Sequence, residues 1–411
     1  MTETQESIAA RKLKPLPYHE RIRDYLKAEE PQVWNWYASH RVRNDQADAV
    51  RFELLKSTYR VERETQSELY AAAEQVADKL SLPVPITIYQ AQNPAGLNAS
   101  LACLPDEAHI VLHGPIAAKL SDLEIRALLA HELSHLFLWR EWQGEFLIVD
   151  QILSAMTRDA RADMPHFATA RLVQLVTEIF CDRGSLFVVE DPMVVVSMLI
   201  KVQTELEEVS PESYLRQAEE IFSRGQPKSD QATHPEAFIR ARAIKIWSDG
   251  DPDADAQTER MVAGKPSLDG LDFLNQQKVA RWTRKLIDAL LAPKWMQTES
   301  VLAHARLFFE DYSPPEGDTA VELLAEEIRT DDEPMLDYYC YILLDFVSAD
   351  RELEELPLAA ALALSETLGL KERFAEIARK ELRLRKRQFE KIDREKRELL
   401  KRQENDSVHR V

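Results

Sequence analysis

No run of about eighteen apolar residues occurs in the sequence, so a membrane-spanning helix is not expected. The closest stretch, LFVVEDPMVVVSMLI (186–200), is broken by Glu190, Asp191 and Pro192. The opening MTETQESIAARKLKPLPYHE is polar and lacks the apolar core of a secretory signal. Cysteine is scarce. Cys103, Cys181 and Cys340 are odd in number, far apart and without C-x-x-C spacing, which excludes a disulfide framework and points to a reducing compartment. Positive charge is also in deficit. The net charge of −19 disfavours a nucleic-acid partner, which needs a basic face to release counterions, and serves solubility instead. Internal repeats and low-complexity tracts are absent. The chain reads as soluble and cytoplasmic.

What remains is ordinary globular material. Of 411 residues, 45% are hydrophobic and 30% charged, enough for two or three domains with real cores. The pattern gives a mainly α fold with one small antiparallel β-sheet. Residues 1–15 read as disordered, within a helical N-terminal region over 1–82. A domain over 83–250 follows. It opens with three short strands, VPITIYQ, GLNASLACL and AHIVLHG, separated by turn-forming residues. The acidic, Pro- and Gly-containing SDGDPDADAQTERMVAGKPSLDG marks a boundary, with a linker placed at 251–270. A helical module is expected over 271–370 and a charged helical tail over 371–411. The tail reads as a solvated helix or a short coiled-coil arm.

The chemistry lies just after the strands, in SDLEIRALLAHELSHLFLW (121–139). Ser121 and Glu124 form a capping box, and apolar residues recur at helical spacing, so HELSH sits inside a well-started helix. Residues four apart share a helix face. His131 and His135 therefore present two imidazoles to one point, as a tetrahedral zinc requires. Glu132 is placed to take a proton from a water in the open position. A catalytic zinc needs a third protein ligand. In LVQLVTEIFCDRGSLFVV (172–189), Glu178 and Asp182 lie four apart on an otherwise apolar helix. Buried acids need partners. A metal for Glu178 and a ligand histidine's second nitrogen for Asp182 would serve, as would a salt bridge to Arg183 or another base.

With these residues in place, 83–245 resembles the gluzincin metallopeptidases of the HtpX and CAAX prenyl endopeptidase kind, as a member without a spanning helix. The shared elements occur in order: Asn98-Ala99 in a strand, H-E-x-x-H, a glutamate followed four residues later by Asp182-Arg183, and Thr233-His234-Pro235 with Arg240 six residues beyond the histidine. The resemblance implies one zinc ion per chain held by His131, His135 and Glu178. It implies Glu132 as general base, His234 as stabiliser of the oxyanion, Asp182 orienting a ligand histidine and Arg240 supporting that region. Asn98 and Ala99 would be the edge on which a polypeptide substrate adds as a strand. Residues 338–370 more loosely resemble the TerB-like tellurite-resistance module, a possible docking surface for a protein partner. There Asp345, Asp350, Glu352 and Glu355 could hold a hard cation or simply cap the next helix. The expected function is a soluble zinc endopeptidase. The alternative is a non-catalytic adaptor or chaperone-like protein that keeps a zinc-bound fold.

Overall fold

The structure, a computed structural model, describes residues 11–39, 44–92, 96–102, 104, 106–315 and 320–408. Most of the stretch expected to be disordered, and Cys103, lie outside these residues. The chain divides into two compact units, Met1–Gly264 and Lys265–Val411.

The first unit begins with helices α1 (Pro17–Glu29), α2 (Pro31–Ser39) and α3 (Asn44–Ser57), then strand β1 (Thr58–Arg60) and α4 (Ser67–Lys79). Strands β2 (Ile86–Ala91), β3 (Asn98–Ala102) and β4 (Ala108–His113) follow, then the short α5 (Ile116–Lys119). The unit is completed by α6 (Asp122–Arg158), α7 (Met164–Val189), α8 (Pro192–Thr204), α9 (Pro211–Ser223), α10 (Ala237–Asp249) and α11 (Ala254–Ala263). A mainly α fold with a small sheet is what the residue pattern anticipates.

The sheet departs from expectation in two ways. It has four strands in the order β1-β2-β4-β3, and β2 pairs with β4 in parallel while the other pairings are antiparallel. Three successive strands read naturally as an antiparallel meander. Here the connection after β2 carries the chain past its neighbour, so that the β3–β4 hairpin inserts β4 against β2 and leaves β3 at the edge. β1 escapes a sequence reading because three residues are too few to show alternation; pairing with β2 creates it. The acidic stretch expected to be a linker contains α11, which packs on α7 and α10 with Thr258, Met261 and Val262 buried.

Helix α6 starts on the foreseen capping box. The Glu124 backbone N–H donates to Ser121 Oγ, and the Ser121 N–H donates to Glu124 Oε2 at 2.8 Å. The helix then bends. Trp142, Gln143 and Gly144 take φ of 50°, 60° and 86°, a left-handed excursion that costs little only at the glycine. α1 braces this bend: the Arg23 guanidinium lies 4.1 Å from the Trp142 ring centroid, and Lys27 pairs with Glu145 at 2.6 Å. α6 packs along α7, forming the frame on which the histidines and the acids are mounted.

α1 also inserts His19, fully buried, edge-on to Phe146 and Phe180. Its Nδ1 accepts from the Leu16 N–H at 3.1 Å, so Nε2, 3.2 Å from Thr177 Oγ1, carries the proton of the neutral ring. Burial, reinforced by the charge of Arg183, pushes this histidine down to about 3. Between about pH 6.5 and 3 the unfolded chain therefore binds a proton that the folded chain does not. Folding stability must fall as pH drops through that window, by about 5 kcal/mol if the titration is completed. Denaturant melts between pH 7 and pH 4 should show a flatter pH slope in His19→Gln than in wild type. Equal slopes would remove His19 as the cause.

The second unit consists of α12 (Phe273–Leu290), α13 (Glu299–Phe308), α14 (Val321–Glu327), α15 (Glu333–Val347), α16 (Leu356–Thr367), α17 (Lys371–Glu381) and α18 (Lys386–Val408). Its core gathers Leu286, Tyr339, Phe346, Leu362 and Phe374. The charged tail is not simply a solvated arm. α18 packs on α16, with Phe389, Ile392 and Lys396 buried, and Lys396 reaches Glu366 at 3.2 Å. Residues 389, 392 and 396 form a sparse stripe that finds its partner only in the folded unit. Asp350 acts as a cap, accepting from the Glu352 N–H at 2.9 Å and from Thr298 Oγ1 at 2.6 Å.

Candidate functional site

His131, Glu132 and Ser134 are buried on the first arm of α6, and His135 is half-buried there. The imidazoles of His131 and His135 lie edge to face with centroids 5.3 Å apart. Across from them, α7 presents Glu178. Its Oε2 lies 3.3 Å from His131 Nε2 and its Oε1 3.7 Å from His135 Nε2. Asp182, one turn on, is completely buried. The His131 Nδ1–H donates to its Oδ1 at 3.2 Å, and Nε2 faces Glu178.

α10 supplies the cation. Arg240 donates from Nε and Nη2 to the two Asp182 oxygens at 2.7 and 2.6 Å, a bidentate pair. Of the two arginines open to Asp182 in the sequence, Arg183 is the one not used. It points away from the histidines and pairs with Asp255 at 2.5 Å. His234 lies just before α10, half exposed, with Nε2 3.6 Å from Glu178 Oε2.

Glu178 Oε2 is the telling atom. It is buried, surrounded by His131, His234 and Arg240 nitrogens at 3.3–3.7 Å, and makes no hydrogen bond. Such an oxygen is costly to leave unsatisfied. Two imidazole nitrogens and a carboxylate around it form a donor set that fits a zinc-like cation.

The electrostatics agree. Burial alone would lower His131, but Asp182 and Glu178 outweigh it and raise the ring to about 10. Burial would raise the Glu178 carboxyl, yet the His131 ring 3.3 Å away and the charges of Arg240 and His135 hold it well below the usual range. Burial brings His135 down to about 4 and Glu132 up to about 7. His131 therefore carries a proton between the two carboxylates, one that a bound cation would displace, and the Glu132 carboxyl is poised near neutrality.

A cavity of about 310 Å³ opens over these groups. β3 borders it through Asn98, Ala99, Ser100 and Leu101, and α8 through Met198, Leu199 and Val202. Of the residues expected at the metal and substrate site, all line this cavity except Asp182, which stands behind His131. Sequence reasoning missed Cys181, whose sulfur lies with ligand atoms of His131 and His135 all within 4.8 Å of one another. It also missed Trp139 on the cavity wall, its ring centroid 6.4 Å from that of His135. Both carried a signal: Cys181 sits three residues after Glu178, and Trp139 four after His135, so each shares its helix face. Among the described residues, the acids around Asp350 do not come together as such a group.

Residues 63–248 match peptidase family M48. The matched segment contains the whole constellation, together with β2–β4 and α4–α9, while α1–α3 and the second unit lie outside it. The curated plastoglobule-localized metallopeptidase 48, chloroplastic, of Arabidopsis thaliana is 28% identical over 206 residues. That alignment covers 46% of this chain and 59% of the relative, so the chain spans about three-fifths of the length of the relative it matches. No solved structure matches the chain. Among the described residues no helix is long and apolar enough to cross a membrane.

Proposed function

We propose that this chain is a zinc-dependent endopeptidase. The observation that carries the reading is the orphaned, buried Glu178 Oε2, facing His131 and His135 beneath a cleft edged by a free strand. In this reading His131, His135 and Glu178 hold one zinc ion, which when bound supplies a Lewis acid for the scissile carbonyl. Asp182, clamped by Arg240, fixes the His131 tautomer and aims Nε2 at the metal. A peptide adds to the outer edge of β3 at Asn98 and Ala99, its backbone pairing as a further strand.

Glu132 takes a proton from the attacking water and passes it to the leaving amine nitrogen. Its burial supports that role, because a carboxyl near 7 can both accept and return a proton at neutral pH. His234, exposed at the cleft, is the donor for the developing oxyanion. The finer likeness to HtpX and CAAX prenyl endopeptidases rests on Asn98-Ala99, Thr233-His234-Pro235 and Arg240. The TerB-like texture around residues 338–370 supports a protein-docking role for the second unit. Cys181 and Cys340, free and buried, suit a reducing compartment such as the cytoplasm.

The test is cleavage of an unfolded protein such as casein by zinc-loaded wild type beside Glu132→Gln, with zinc content measured in both. The variant should keep its zinc and lose cleavage by about 10²- to 10⁴-fold. Equal cleavage by both proteins removes Glu132 as the base. No cleavage by either, with zinc retained in both, favours the binding protein over the enzyme.

A further inference from the structure

The cleft has two unlike sides. Apart from Asn98 and Ser100 on β3, its polar groups, His131, Glu132, His135, Glu178, His234 and Arg240, all belong to the constellation described above. Beyond β3 and these groups the lining is apolar: Leu128, Trp139, Met198, Leu199 and Val202. Three of these five come from α8, a helix that contributes no group to the chemistry.

α8 is fastened in a particular way. Ser197 Oγ donates to Glu124 Oε1 at 2.6 Å and Lys201 Nζ to Glu124 Oε2 at 2.9 Å, and Glu124 is 5% exposed. Ser197 and Lys201 are four apart, so they share one face of α8. Met198 and Val202, also four apart, form the adjoining face and reach the cleft. The carboxylate they are tied to belongs to the first turn of α6, the helix that carries His131. The apolar wall and the histidines are thereby held in one frame.

We propose, resting on the endopeptidase reading, that α8 is the specificity wall of the site. It selects substrates with a bulky apolar side chain beside the scissile bond. A strand added to β3 sends alternate side chains to opposite faces, about 7 Å apart on each face. Only every second substrate residue meets α8, so the preference falls chiefly on one position. A cavity of about 310 Å³ stands at the lower end of ligand-pocket volumes. It admits a large side chain with its backbone and no folded element, so the substrate is an extended or unfolded chain. The wall offers no counter-charge, and an acidic or basic side chain placed against it would be desolvated without a partner.

The experiment uses the full chain loaded with zinc and a peptide library varied around the cleaved bond. Leu, Phe, Met or Ile at one position should exceed Asp, Lys or Gly there by about 10- to 100-fold in kcat/KM. Val202→Lys should keep its zinc content and swing the preference at that position towards Asp and Glu. A second readout needs no turnover: calorimetric binding, to zinc-loaded Glu132→Gln, of a peptide pair that differs only in Leu or Asp at that position. Selective binding of the Leu peptide with no cleavage by wild type would keep the wall and sink the peptidase. Cleavage by wild type without apolar preference, or a Val202→Lys profile identical to wild type, would keep the peptidase and sink the wall. Neither cleavage nor selective binding would remove both.

Discussion

Replacing Glu178 with alanine is expected to abolish zinc retention, while Cys181→Ser keeps it. The two side chains compete for the place of third ligand, since both lie near the histidine nitrogens. Physical chemistry separates them. Glu178 lines the cavity and is held anionic by His131, Arg240 and His135 against its burial. Its Oε2 has no other hydrogen-bond partner. Cys181 does not line the cavity. Burial, with the charges of Glu178, Glu132 and Asp182 added, pushes its thiol well above the ordinary value. A neutral buried thiol is a poor ligand beside a carboxylate already ionised. Removing Glu178 should cost far more than the roughly 10- to 100-fold typical of losing a ligand's hydrogen-bond partner. Asp182→Asn should fall in that smaller range. Zinc content after dialysis, read by elemental analysis, decides the matter. Normal zinc in Glu178→Ala, or its loss in Cys181→Ser, would reverse the assignment. Acidification should release the metal with uptake of protons, since the His131 ring that would hold it is strongly basic without a cation beside it.

Gly184→Ala is expected to disable the site from a residue that touches none of its chemistry. α6 and α7 approach closely where Gly184 meets Ser134, the fourth residue of HELSH. A Cβ at position 184 would lie 1.8 Å from Ser134 Oγ and 2.8 Å from Ser134 Cβ. The hydroxyl can rotate away at the expense of its 2.6 Å bond to the Ala130 carbonyl; the Cβ cannot. Carbon atoms pack at about 3.5–4.0 Å, so the helices must part by about 1 Å. His131 and His135 ride on one helix, Glu178 and Asp182 on the other, and metal ligation tolerates roughly 0.2 Å. A 1 Å misplacement can cost about 100-fold in function, and the overpacking itself costs about 1–3 kcal/mol of stability. Zinc affinity and the melting midpoint of Gly184→Ala should both drop, and adding Ser134→Gly should restore much of the affinity. A variant that binds zinc and melts like wild type would show that the helices accommodate the methyl.

Much of the site was legible because it is written within single helices. A period of 3.6 residues puts His131 and His135 on one face, and Glu178 and Asp182 on another, whatever the rest of the chain does. The capping box fixed where α6 begins for the same local reason. What was not legible depended on which elements meet. Arg183 and Arg240 were both open to Asp182 by charge; the crossing of α10 over α7 gave the pairing to Arg240 and sent Arg183 to Asp255. The tail's Phe389 and Ile392 looked too sparse to bury anything until α16 covered them.

The sequence by itself determined which of these side chains share a helix, since His131, Glu132 and His135 are set by spacing along α6. Tertiary structure alone decided the rest. It put β3 at the sheet edge by running β4 parallel to β2 and antiparallel to β3. It set the distance between α6 and α7 at a glycine contact. It brought Met198, Leu199 and Val202 of α8 to the lining of the cavity that β3 borders. Each of these is a relation between elements far apart in the chain, fixed by which surfaces bury each other rather than by any local repeat.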